Sequence, residues 1–220
     1  SDNGNFLFPK DIKIASNGNL IITSQNSQKI VIYSSTLNFI SQFGDPGGDV
    51  GQFSVPQYLE LDNSDNIYVT DWYNNSIQKF TSAGDFVSIV GNGKKVNGSF
   101  FFPSAIAYDT VGNMYVLDDG AGVGRVQKFT NAGVYIDTII SEGLYDSSYD
   151  MVIDGSNNIY ISGESGVQVF NTAGVLQRAI GEYGTGAGQF TQARGMDFDA
   201  MGNIYIADYF NSIVHVFDSA

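Results

Sequence analysis

The sequence repeats itself. A short turn-plus-strand, "NGNLIIT", returns as "SDNIYVT", "VGNMYVL", "SNNIYIS" and "MGNIYIA", with its anchor at Asn19, Asn66, Asn113, Asn158 and Asn203. The intervals are 47, 47, 45 and 45 residues. Ten residues before the anchors stand Pro9, Pro56, Pro103, Ser148 and Ala193, and five after them Ser24, Asp71, Asp118, Gly163 and Asp208. A register held five times restricts the chain to a repeat architecture, in which one unit recurs and buries its apolar faces against its neighbours.

Each repeat reads as four short strands. The first follows the Pro position ("KDIKIA", "QYLELD", "SAIAYD", "YDMVID", "RGMDFD"), and its third and fifth residues are always apolar, the period-2 sign of one strongly buried face. "DNSDN" or "DTVGN" turns lead to the second strand, since Asp, Asn and Gly tolerate positive φ and bond their own backbone. The third strands are "IVIY", "IQKF", "VQKF", "VQVF" and "VHVF". The fourth follows an "SAG"-type turn, as in "DFVSIVG", and is absent from the last repeat, which stops at "VHVFDSA". Four antiparallel strands per 40–50 residues is the period of a propeller blade.

"GQFSVPQYLELDNSDNIYVTDWYNNSIQKF" resembles an NHL repeat, and the resemblance extends over essentially the whole chain. It implies an all-β, NHL-type β-propeller of four-stranded antiparallel blades, with five repeat units visible and the last lacking its outermost strand. The expected organisation is one domain over 1–220, with units at roughly 5–47, 48–94, 95–141, 142–183 and 184–220, as a segment of a longer protein. The edge left at Val214–Phe217 is expected to be free for strand addition, because unpaired edges invite it.

The charge balance bears on function. The 23 acidic and 10 basic residues give a net charge of −13. That field repels phosphate backbones, so the RNA binding known for some NHL propellers is not expected; the one adjacent basic pair is Lys94-Lys95. No apolar run approaches the roughly 20 residues that span a bilayer, and membrane insertion is not expected. There are no cysteines, which removes disulfides, thiolate metal sites and a Cys nucleophile. Acidity, low Lys content and Asn/Ser/Tyr richness favour an extracellular or cell-surface setting, with acceptor triplets at Asn74-Asn75-Ser76 and Asn97-Gly98-Ser99.

Candidate chemistry is sparse. His215 is the single histidine and occupies the place of Gln78, Gln127 and Gln168; it reads as a polar strand residue. One histidine also sets aside the three-histidine zinc site of the amidating-lyase relatives of NHL repeats. The first strands bring Asp11 and Asp150, at their second positions, and Glu60 and Asp197, at their fourth, towards the axis, with Lys13 and Arg194 beside them. Such hard oxygens suit Ca²⁺; the competing reading is an ion-pair network, and no cofactor is expected. "DNSDN" lacks the Gly and distal Glu of a calcium loop, and "GTGAGQF" and "GNGKKVNG" precede strands rather than helices, so these read as turn and linker.

The recognition candidates are the hairpins after the second strands. They carry Trp72 and Tyr73 in "DWYNNS", and Tyr209 and Phe210 in "DYFNSI". Tyr58, Tyr149 and Arg194 are expected to open onto the same face. Aromatic and Arg side chains give large contact area at low entropy cost; the competing reading has the aromatics folding back over a neighbouring blade. The leading expectation is a non-catalytic recognition or scaffold module binding protein or glycan through that face. The alternative is a metal-dependent hydrolase or lyase with an axial carboxylate site.

Overall fold

The computed structural model describes residues 5–91, 96–118, 124–145 and 147–218; the Lys94-Lys95 pair and the last two residues of "VHVFDSA" lie outside them. Contacts divide the chain into two compact bodies, Ser1–Ile106 with Asn131–Val134, and Ala107–Thr130 with Tyr135–Ala220. Every regular element among the described residues is a strand.

The repeats become separate antiparallel sheets, each strand pairing with the next in sequence. Blade 1 is β1 (Pro9–Ile14), β2 (Leu20–Ser24), β3 (Lys29–Tyr33) and β4 (Phe39–Phe43). The linker after it contains a two-residue parallel pair, β5 (Asp45–Pro46) and β6 (Gln52–Phe53). Blade 2 is β7 (Pro56–Leu61), β8 (Ile67–Asp71), β9 (Ser76–Phe80) and β10 (Phe86–Val90). Blade 3 is β11 (Pro103–Tyr108), β12 (Met114–Asp118), β13 (Arg125–Phe129) and β14 (Tyr135–Ile140). Blade 4 is β15 (Ser148–Ile153), β16 (Ile159–Gly163), β17 (Gly166–Phe170) and β18 (Leu176–Ile180). A second parallel pair, β19 (Glu182–Tyr183) and β20 (Gln189–Phe190), precedes blade 5. Blade 5 has three strands, β21 (Ala193–Phe198), β22 (Ile204–Asp208) and β23 (Ile213–Phe217). The fold is thus the all-β, propeller-type arrangement expected of the repeat, with the last blade one strand short among the described residues.

The anchor Asn earns its period through the turn between first and second strands. In blade 2, Asp62 Oδ1 accepts the backbone N–H groups of Ser64 and Asn66, while the Asn66 side chain donates to both Asp62 oxygens. Asp109 with Asn113, Asp154 with Asn158 and Asp199 with Asn203 repeat the arrangement. The residue before each anchor has positive φ, and the chain places Gly18, Asp65, Gly112, Asn157 and Gly202 there, the residue types that adopt it at least cost. Lys79 and Lys128 reach the Asp62 and Asp109 carboxylates at 3.2 and 3.1 Å, each also lying over a tyrosine ring of its own blade.

The blades then pack face to face. In the first body, Ile21, Ile30 and Ile32 of blade 1 form one core with Phe53, Leu59 and Phe80 of the second repeat. In the second body, Tyr160, Val167 and Val169 of blade 4 meet Phe190, Met196 and Phe217 of the fifth. The "AG" turns lean on the preceding blade: a Cβ added at Gly174 would stand 1.9 Å from the Ile139 carbonyl oxygen. That contact explains the glycine.

One expectation needs correction. The apolar third and fifth residues of the first strands are not buried throughout: Leu59, Met151 and Met196 are, but Ile12 and Ile14 of β1 are exposed. No described element covers that side of blade 1.

Asp62, Asp109 and Asp199 are all held below the ordinary carboxylate value. At Asp62 and Asp109 burial opposes this, but the Asn side chains, backbone amides and lysines outweigh it; at Asp199 the Asn203 side chain leads. A lowered folded-state pKa gives stability that is present above the unfolded value and is lost as pH falls through the folded one. Thermal stability should therefore fall steeply below about pH 4. Asp62→Ala should cost about 2–3 kcal/mol at pH 7 in urea unfolding, and its penalty should shrink in acid.

Candidate functional site

The Asp closing the second strand does a different job from the turn Asp. Asp71 is fully buried at the end of β8, and its carboxylate accepts the N–H groups of Ser54 at 3.1 Å and Val55 at 2.9 Å, with Asn74 donating at 2.7 Å. Asp208 reproduces this with the N–H groups of Thr191 and Gln192, the Thr191 hydroxyl and Asn211. These carboxylates bind the linker that carries Phe53 or Phe190 into the interblade core. Their titration differs. Burial pushes Asp71 up despite its donors, whereas at Asp208 burial is outweighed by donors that include the extra Thr191 hydroxyl. In blade 3, Asp118 also pairs with Arg125.

The third-strand polar residue secures the same linker from below. Gln78 accepts from Gly51 N–H and donates to the Gln52 carbonyl, and Gln168 does the same with Tyr145 and Gly143. His215 replaces this with packing. Its ring lies 4.4 Å from that of Phe190, and Nε2 stands 3.7 Å from Asp208 without a hydrogen bond.

The four inward carboxylates are occupied by backbone. Asp11 accepts from Ile12 N–H and, across to blade 2, from Leu59 N–H at 2.9 Å. Asp150 spans blades 4 and 5 identically, from Met151 to Met196 N–H at 2.8 Å. Glu60 accepts from Leu61 N–H and pairs with Lys13 at 2.8 Å, and Asp197 accepts from Phe198 N–H. Among the described residues no three His, Cys, Asp or Glu side chains group as metal ligands. A 410 Å³ cleft in the second body is lined by Asp154, Tyr160, Arg178, Asp199 and Asp218; Asp154 and Asp199 there hold their turn asparagines.

The aromatic residues form one cluster in each body. In the first, Trp72 stacks on Phe102 with ring centroids 4.2 Å apart and planes at 26°, and Tyr73 flanks both. Phe102 has positive φ, and its N–H is held by Asn75 Oδ1. Trp72 is thereby half-buried over the linker of the third repeat, while Tyr73 stays exposed. Tyr58 is half-buried in β7, its N–H bonded to Thr70. In the second body the Arg194 guanidinium lies between two rings, 4.8 Å from Tyr149 and 4.5 Å from Tyr209. Its Nε donates to Gln192 Oε1, and Gln192 Nε2 donates to the Tyr149 hydroxyl. Tyr209 and Phe210 meet edge to face and are exposed. Phe102 and Gln192 were missed by sequence reasoning; both sit in linkers, and only their position opposite a hairpin aromatic could have marked them.

Arg194 has no carboxylate partner among the described residues, although Lys13, Lys79, Arg125 and Lys128 each have one. A guanidinium presents a planar fork of N–H donors. Such a fork binds a carboxylate in bidentate fashion, and stacked rings supply flat apolar area beside it.

Comparison with known proteins agrees with this architecture. Residues 53–80, within the second repeat, match the NHL-repeat family model. No curated protein sequence matches the chain. Among solved structures it is similar to a streptogramin B lyase (16% identity, 99% of this chain and 69% of that one, TM-score 0.70). It is also similar to a catalytically inactive histidine-to-alanine variant of virginiamycin B lyase from Staphylococcus aureus with quinupristin (11%, 99% and 71%, TM-score 0.69). A gluconolactonase from Xanthomonas campestris matches at 12% identity over 94% of this chain and 84% of its own, with a TM-score of 0.57. At these identities the likeness establishes the fold alone.

The two hairpins should respond differently to truncation. Trp72→Ala should lower stability by about 2 kcal/mol, less than the loss at a fully buried aromatic. Phe210→Ala should stay within about 0.5 kcal/mol, as at an uncoupled surface position. Urea unfolding of the two variants measures both.

Proposed function

We propose that this chain is a non-catalytic recognition or scaffold module that binds protein or glycan through the aromatic hairpins and the linkers beside them. The observation that carries the reading is Arg194, held between Tyr149 and Tyr209 with no carboxylate of its own. In a chain of net charge −13, an arginine left unpaired beside exposed aromatics supports a ligand-facing role. Trp72, Tyr73 and Tyr58 would be the corresponding contacts of the first body. An extracellular or cell-surface setting belongs to the same proposal, as does strand addition along Val214–Phe217, where β23 has only β22 beside it among the described residues.

A second reading, a hydrolase or lyase with an axial metal, takes support from the lyase and the gluconolactonase among its structural neighbours. Against it, the inactive variant in the virginiamycin B lyase structure replaces a histidine, whereas His215 is packed against Phe190 and Phe217. Elemental analysis discriminates: one equivalent of metal, lost in Asp150→Ala, would favour the enzyme.

A glycan array combined with immobilised-peptide screening tests the leading reading. The best ligand should bind Arg194→Ala and Tyr209→Ala at least about 30-fold more weakly, the loss of a 2 kcal/mol hot spot. Wild-type binding by both variants would refute the assignment.

A further inference from the structure

The two acceptor triplets of the sequence, Asn74-Asn75-Ser76 and Asn97-Gly98-Ser99, stand in opposite structural situations. Asn74 lies in the hairpin after β8, and its amide nitrogen donates twice, to the Gly47 carbonyl at 2.9 Å and to Asp71 Oδ2 at 2.7 Å. Asn211 holds the same place in blade 5 and makes the same two bonds, to the Gly184 carbonyl at 3.2 Å and to Asp208 Oδ2 at 2.7 Å. Yet Asn211-Ser212-Ile213 is no acceptor triplet. Holding the linker is therefore the shared duty of these asparagines, and it accounts for Asn74 without any modification. Asn97 lies in the linker that enters β11. The Ser99 N–H donates to the Val96 carbonyl at 3.1 Å and Gly98 has a φ of 81°, so Asn97 and Gly98 form the corner of a tight turn. Val96 and Asn97 are exposed there, whereas Ser99 and Phe100 are buried.

We infer that the folded protein carries an N-linked glycan at Asn97 and none at Asn74. The inference rests on the extracellular setting proposed above and is independent of the ligand-binding reading. In the reaction, the anomeric carbon of a lipid-linked sugar donor leaves its phosphate oxygen and bonds to the asparagine Nδ2, which gives up one proton. An amide that began with two donor hydrogens keeps one. At Asn74 this removes one of the two bonds to Gly47 and Asp71 and sets a bulky sugar where the linker closes on the side chain. At Asn97 the sugar leaves from an exposed turn tip. Ser99, whose hydroxyl completes the second triplet, is 2% exposed, so transfer precedes the folding of this linker. Both triplets are open to the donor at that stage, and folding then rejects the chains modified at Asn74.

Secretion of the 220-residue chain from a eukaryotic cell, with peptide mass mapping before and after peptide N-glycosidase, tests it. Tyr183→Asn runs in parallel to prove that the host modifies this chain, since Tyr183 is exposed and the change completes a triplet with Gly184 and Thr185. Wild type should lose its glycan on digestion, with Asp left in place of Asn97 and Asn74 unchanged. Asn97→Gln should be secreted without a glycan and with an unchanged circular dichroism melt. A folded wild type bearing a glycan at Asn74 would overturn the inference. So would a bare Asn97 beside a glycosylated Tyr183→Asn control. The extracellular reading fails by a different result: fractionation of the cells that make the protein, finding it only inside them, would remove that reading and the inference with it.

Discussion

The account rests on a buried carboxylate that holds backbone N–H groups of the linker entering its blade. A loop pressed into an interface must satisfy its amides, or the desolvation cost expels it. Asp71 takes Ser54 and Val55, and Asp208 takes Thr191 and Gln192. Immediately before those amides, Phe53 and Phe190 are completely buried in the interblade cores. Gln78 holds the blade 2 linker just ahead of Phe53, at Gly51 and Gln52, and in blade 5 the His215 ring packs on Phe190 instead. With both anchors set, the aromatic can only point into the preceding blade.

This order of causes explains which parts of the fold were legible in the sequence. The turn Asp and anchor Asn bond within five residues of one another, so their spacing reports the geometry directly. Strand alternation follows from the same local register. The parallel pairs Asp45–Pro46 with Gln52–Phe53, and Glu182–Tyr183 with Gln189–Phe190, were not legible. They arise from anchoring a Gly-rich linker at both ends, and two-residue pairings leave no periodic trace. Nor did periodicity reveal the exposure of Ile12 and Ile14, because an apolar alternation names a face without naming its cover.

The candidate site was legible in residue type and less so in role. Asp11 and Asp150 look like metal ligands when read as carboxylates at equivalent positions. In the structure each spends its oxygens on two backbone amides, one in the next blade's first strand. Trp72 and Tyr209 share a hairpin position, yet Trp72 lies on Phe102 whereas Tyr209 stacks on Arg194. The difference comes from the linker opposite, which the alignment of repeats does not contain. Arg194 stands out only once ion-pair geometry is known, since its neighbours in sequence include no hint that every carboxylate is engaged elsewhere or out of reach.

A double-mutant cycle on Asp71 and Phe53 tests the central claim most directly. If the carboxylate acts by placing the linker aromatic, removing either one removes much of what the other contributes. Urea unfolding of Asp71→Ala, Phe53→Ala and the double variant should then give a coupling energy of at least about 1 kcal/mol, with the double variant less damaged than the sum. Losses that add to within about 0.3–0.5 kcal/mol, the behaviour of independent sites, would contradict the account and leave Asp71 as a local cap with no hold on the core.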